Sequence, residues 1–195
     1  MDEGRYRVLP GPDAGTVRFL DRDGYEPVAV STAGQEAPVA DLRPGYLVEA
    51  TLDWTDPEPT VRSLSVSRPT LCAFADGADP MFEVAKETWQ EARAAGEGMG
   101  SRVTHNTDGV VNGVVYVFAE DEVGGRFAEF RDGTRPLEPL LDRVNEDDPQ
   151  PREAFVLRPP SREFVAVTIT LRKGGQFADT VRDTYDCPRP DEPLV

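Results

Sequence analysis

Lysine is nearly absent from this chain. It stands only at Lys86 and Lys173, so almost all of the 21 basic residues are arginine. Isoleucine occurs once, at Ile169, and histidine once, at His105. The two cysteines, Cys72 and Cys187, are far apart in sequence. One histidine and two distant cysteines exclude an ordinary four-ligand zinc site, and two thiols with no pairing pattern read as reduced. No stretch approaches the roughly 18 apolar residues of a membrane span. The opening MDEGRYRV has neither the basic leader nor the apolar core of a secretory signal. These scarcities predict a soluble, cytoplasmic protein with no membrane partner.

Carboxylates are what the chain has in plenty. Asp and Glu total 36 in 195 residues, the formal net charge is −15, and the acids are spread along the chain rather than gathered in a tail. Many acids, little lysine and a core of Val, Ala and Leu fit a protein working in molar salt. There the Debye length is only about 3 Å, so repulsion between carboxylates is screened. The charge then reports the solvent, and it excludes no partner class, nucleic acid included.

The first 72 residues read as β-rich. TVRFL (16–20) and YEPVAVS (25–31) flank Asp23-Gly24, a hairpin signal. Pro44-Gly45 suits the centre of a type II turn. After it Tyr46, Val48, Ala50, Leu52 and Trp54 alternate with polar residues, which predicts a strand with that set facing inward. Val61, Leu64 and Val66 continue the pattern. Several short strands joined by tight turns predict a small antiparallel β-barrel, OB-like, over residues 1–72.

From residue 73 to 195 the pattern predicts an α+β region, an antiparallel sheet with packed helices. Asp79 and Pro80 suit the start of a helix carrying Phe82, Ala85, Trp89 and Ala92, with Gly96 as its stop. GEGMG reads as a flexible connector, and RVTHN with VVNGVVYVFAE as a hairpin turning at Thr107-Asp108-Gly109, with a bulge near Asn112-Gly113. A second helix carries Leu137, Leu140, Leu141 and Val144 on one face. The acidic, proline-rich NEDDPQPRE reads as a loop. Val165, Val167, Ile169 and Leu171 give the next strand one buried face, and Phe177, Ala178, Val181 and Tyr185 mark a last helix.

Three groups of residues carry candidate chemistry. His105 beside Asp108 has the composition of an oriented general base, although Asn, Asp and Gly there also serve the turn. In DTVRDTYDCPRP, Asp179 and Asp183 lie one helical turn apart with Arg182 and Asp186 close by, and the pair could hold Mg²⁺ or do acid-base work with Cys187 as nucleophile, while the same residues suit a solvated helix face in an acidic protein. Cys187, flanked by proline, reads as the more exposed thiol. In the barrel, Arg18, Arg22, Arg43 and Arg62 could meet phosphates and Tyr25 could stack on a base, the means by which small barrels hold single strands; Tyr46 and Trp54 share the inward parity. GEGMGS lacks the strand context and the Lys-Ser/Thr ending of a phosphate loop. The solvated-face reading is preferred, so no metal or cofactor is expected.

LRPGYLVEATLDW, SLSVSRPTLCAF and RKGGQFADTVRDTYDCPRP together resemble an uncharacterised protein family of haloarchaea, a domain of unknown function. The likeness runs over essentially the whole chain. It implies salt adaptation and brings no activity or site residue with it.

The functional expectation is a binding module, with RNA or single-stranded DNA as the leading ligand and a protein partner as another. The rival readings are a small enzyme using His105, Asp183, Asp186 or Cys187 between the two parts, and a scaffold that assembles through its sheet.

Overall fold

Arg43 to Tyr46 form the turn that Pro44-Gly45 predicts. The Tyr46 N–H donates to the Arg43 carbonyl at 3.1 Å, and Gly45 has φ +103°. A Cβ there would lie 2.4 Å from the Cys72 backbone nitrogen, so both the dihedral and the space require glycine.

The computed structural model describes residues 2–55, 58–120 and 125–195. In chain order its elements are β1 (Asp2–Pro10), β2 (Thr16–Asp21), β3 (Pro27–Ser31), β4 (Leu47–Asp53), β5 (Thr60–Arg68), β6 (Leu71–Asp76), α1 (Glu83–Ala94), β7 (Met99–His105), β8 (Val111–Ala119), α2 (Arg126–Asp132), α3 (Glu138–Val144), β9 (Glu153–Arg158), β10 (Phe164–Thr170) and α4 (Gln176–Thr184). One five-stranded sheet has the order β3-β2-β1-β4-β5 and a second the order β6-β9-β10-β8-β7. The fold class is α+β. No helix among the described residues is long and apolar enough to cross a membrane.

Two compact units result, each with its own core. The first takes Met1–Cys72, Glu129–Pro151 and Pro190–Val195; the second takes Ala73–Ala128 and Arg152–Arg189. In the first, Tyr6, Val8, Phe19, Val30, Tyr46, Val48 and Leu52 pack inside the sheet. The opening residues, read from sequence only for the absence of a leader, supply the central strand: β1 pairs antiparallel with β2 and β4. In the second unit, α1 and α4 cover one face of the sheet, where Ala85, Ala178 and Val181 meet Val115, Val117, Phe155, Leu157 and Ala166.

Several local expectations change. Trp54 is 45% exposed, not inward: the ladder ends at Asp53, so alternation no longer governs the next side chain. The first helix starts at Glu83, three residues beyond Pro80. Its entry is held from a distance, since the Phe82 N–H donates to the Tyr185 hydroxyl and that hydroxyl donates to the Pro80 carbonyl, both at 3.0 Å. The supposed connector GEGMG runs into β7. In β10 all seven residues are buried, so both its faces are covered and not one alone.

Candidate functional site

Arg18, Arg22, Arg43 and Arg62 of the first unit each have a partner within that unit. Arg22 binds the Glu138 carboxylate and, at 3.1 Å, that of Asp142. The Arg62 guanidinium meets Asp53 at 2.6 Å. Arg43 donates to the carbonyls of Asp191 (2.7 Å) and Leu42 (2.9 Å), and Arg18 to that of Pro10 (2.7 Å). Hydrogen bonds from Thr55 and Arg62 pull the Asp53 carboxyl down to about 2. Of the five residues singled out here for nucleic acid, Tyr25, 41% exposed at a turn with φ +55°, and Arg62 lie at the surface, and Arg62 is already engaged by Asp53.

Behind Arg22 lies an ionic knot that sequence reasoning missed. Glu138, on the apolar face of α3, is fully buried. Arg7 from β1, equally buried, grips it through Nε at 2.6 Å and Nη2 at 2.9 Å and donates to the Gly45 carbonyl at 2.7 Å. Burial opposes the Glu138 charge, but the Arg7 hydrogen bond and the charges of Arg7 and Arg22 outweigh it and hold the carboxyl below its ordinary range. The signal available in sequence was a lone acid among Leu137, Leu140 and Leu141.

The second unit repeats the device. Glu153 at the start of β9, fully buried, accepts from Arg182 Nε (3.1 Å) and Nη2 (3.0 Å), from Arg189 (2.5 Å) and from the Gly174 N–H (3.2 Å). Arg189 also reaches Asp179 at 2.7 Å. Arg182, the basic residue of the polar cluster, is therefore structural.

The enzyme candidates do not converge. Asp183, Asp186 and Cys187 line an open recess at the end of α4, whereas His105 lines a separate cleft at its beginning. Cys187 is buried, not exposed, because its segment folds back over Arg182, which donates to the Cys187 carbonyl at 3.1 Å. Burial pushes the thiol upward, away from the thiolate a nucleophile needs. Neither cysteine is in a disulfide. Among the described residues no three His, Cys, Asp or Glu side chains gather as a metal site.

The His105 cleft has different chemistry. About 490 Å³ in volume, it lies where the β7–β8 hairpin ends and α4 begins, and Asn112, Arg172, Gln176 and Phe177 are among the side chains on its wall. Its lining contains no carboxylate, in a chain with 36. Arg172 has no ion-pair partner among the described residues. Gly175 caps α4 without a side-chain hydrogen bond, so the first-turn N–H groups of a nine-residue helix open toward the loop. Val110 and Val111 add an exposed apolar rim. A Cβ on Gly113 would lie 2.7 Å from the Phe177 ring, so glycine there lets that ring approach the strand. The sequence clue was the lack of any acid from Phe164 through Phe177, a run that leaves the strand and continues through the loop.

Fold and clefts together define an α+β protein of two five-stranded sheets, with no converged catalytic constellation among the described residues. The chain belongs to the family of unknown function DUF6663, whose model matches residues 1–190. No curated protein and no solved structure matches it.

Proposed function

We propose that this is a binding protein and that its ligand site is the carboxylate-free cleft of the second unit. The observation that carries the reading is the lining itself: Arg172, His105, Asn112 and Gln176 supply donors, Val110, Val111 and Phe177 supply apolar wall, and no acid repels an anion. Such a cleft suits a small molecule with an anionic group on an apolar or planar body, a nucleotide among them. A hydrogen bond to a charged group is worth about 1.5–3 kcal/mol, so loss of the Arg172 contact weakens binding roughly 10- to 150-fold. Calorimetric titration with inorganic phosphate, pyrophosphate and adenosine monophosphate, for wild type and Arg172→Glu, tests it. Binding that the substitution abolishes supports the site; no binding, or binding that the substitution leaves unchanged, refutes it.

A second reading, single-stranded nucleic acid on the first unit, draws support from the strand order β3-β2-β1-β4-β5. Cα atoms of β3 and β5 approach within 8 Å, the arrangement of a partly open OB-like barrel. Tyr25 and Trp54 remain outward for stacking. Because Arg18, Arg22, Arg43 and Arg62 already have partners, affinity would rest on the aromatics. Stacking is worth about 1–3 kcal/mol per base, so in anisotropy titrations with labelled RNA and DNA, Tyr25→Ala weakens binding roughly 5- to 150-fold on this reading. Wild type that binds no oligonucleotide refutes it. The acidic, lysine-poor composition supports salt adaptation, and two buried cysteines outside any disulfide support a reducing, cytoplasmic compartment.

A further inference from the structure

The second sheet ends on β7, and no described strand lies beyond it. The Gly98 carbonyl accepts from the Ala119 N–H at 2.8 Å, and the Asn106 N–H donates to the Val110 carbonyl at 2.9 Å. Antiparallel pairing alternates, so the even-numbered residues of β7 bond to β8, and Met99, Ser101 and Val103 turn their N–H and C=O groups outward. The side chains of the same three residues share the exposed face, Met99 at 44% and Val103 at 48%.

Open edges are ordinarily blunted by proline, by lysine or by a charge pointing along the edge. β7 has none of these. Its one ionic side chain, Arg102, is taken up by Glu87 (2.8 Å) and Glu91 (2.6 Å) of α1. The opposite edge of the sheet, β6, ends in Asp76, which Arg158 holds at 2.6 Å.

We propose that β7 pairs antiparallel with β7 of a second copy of this chain about a two-fold axis at Ser101, joining two sheets into one. The register is self-complementary, as a two-fold interface requires. The residues whose polar groups point outward are the ones that meet: Ser101 pairs with its own copy, and Met99 pairs with Val103 on either side of the axis. Gly100 stands opposite Arg102, so no like charges face each other across the strands. At the ends, the Glu97 carboxylate comes beside the His105 imidazole of the other copy, a complementary pair. An acidic partner of another kind would gain little from this edge, whereas a second copy matches it on both sides. His105 also lines the cleft, so the contact reaches the cleft's edge but involves neither Arg172 nor Gln176.

The test is sedimentation velocity of the full chain in molar KCl, where repulsion between acidic surfaces is screened, over micromolar to submillimolar concentrations. Wild type sediments as a concentration-dependent dimer. Met99→Lys and Val103→Glu, each on an exposed side chain, raise the dissociation constant about tenfold, since the axis doubles the loss of one cross-strand pair. Combining both on one chain sets each new ammonium against the new carboxylate of the other copy and brings the constant back toward wild type. A monomer at every concentration overturns the proposal, as does a dimer indifferent to either single substitution, or a double variant weaker than both.

Discussion

Glu138 and Glu153 are each a full negative charge taken out of water and held by two arginines. A buried pair contributes little beyond what apolar packing would, but removing one partner leaves the other charged and desolvated, at a cost of about 3–5 kcal/mol. Glu138→Gln strands Arg7 in this way, and chemical denaturation of that variant should show a loss of this size. The pH dependence has a definite sign. The folded carboxyl titrates below its ordinary value of 4.5, so as pH falls the unfolded chain takes up the proton first. The stability it contributes is full above that value and drains away as pH drops through the folded pKa. Melting curves should therefore fall below about pH 4.5, and Glu138→Gln should flatten its share of that decline. This knot was illegible in sequence, because an acid on an apolar helical face looks like a surface residue until an arginine more than a hundred positions away is seen against it.

At the level of elements, what was legible was what depends on near neighbours. Pro44-Gly45 specifies its turn, Val165, Val167 and Ile169 specify a strand with a buried face, and Ala178 and Val181 specify the buried side of α4. Distant partners decided the rest. The start of α1 was read from Asp79-Pro80, yet Tyr185 fixes it, and nothing near residue 80 announces that. The cleft was half legible: His105 beside Asp108 carries a signal in sequence, while Arg172 and Gln176 carry none. Burial pushes the Tyr185 phenol up to about 12, so its hydroxyl stays a donor across the physiological range. Tyr185→Phe leaves the Phe82 N–H and the Pro80 carbonyl without this partner. It should cost about 1–3 kcal/mol in denaturant titrations and speed amide exchange in the first turn of α1.

On the scale of the whole molecule the dominant fact is a net charge of −15. In dilute buffer that charge repels itself, and the ionic knots relieve the repulsion only locally. Raising KCl from dilute to molar shortens the Debye length from about 30 Å to about 3 Å, so the melting temperature should climb steeply over that range. A flat profile would remove the case for salt adaptation.

The first unit is assembled from three separate stretches, Met1–Cys72, Glu129–Pro151 and Pro190–Val195. That arrangement has a consequence for the order of synthesis. When a ribosome has released the five strands of the first sheet, Arg7 has been made and Glu138 has not. The carboxylate of Glu192 that accepts from the Tyr46 hydroxyl at 2.8 Å emerges later still. The nascent sheet must therefore wait, loosely formed and with an unmatched cation in its interior, until those later residues have been made.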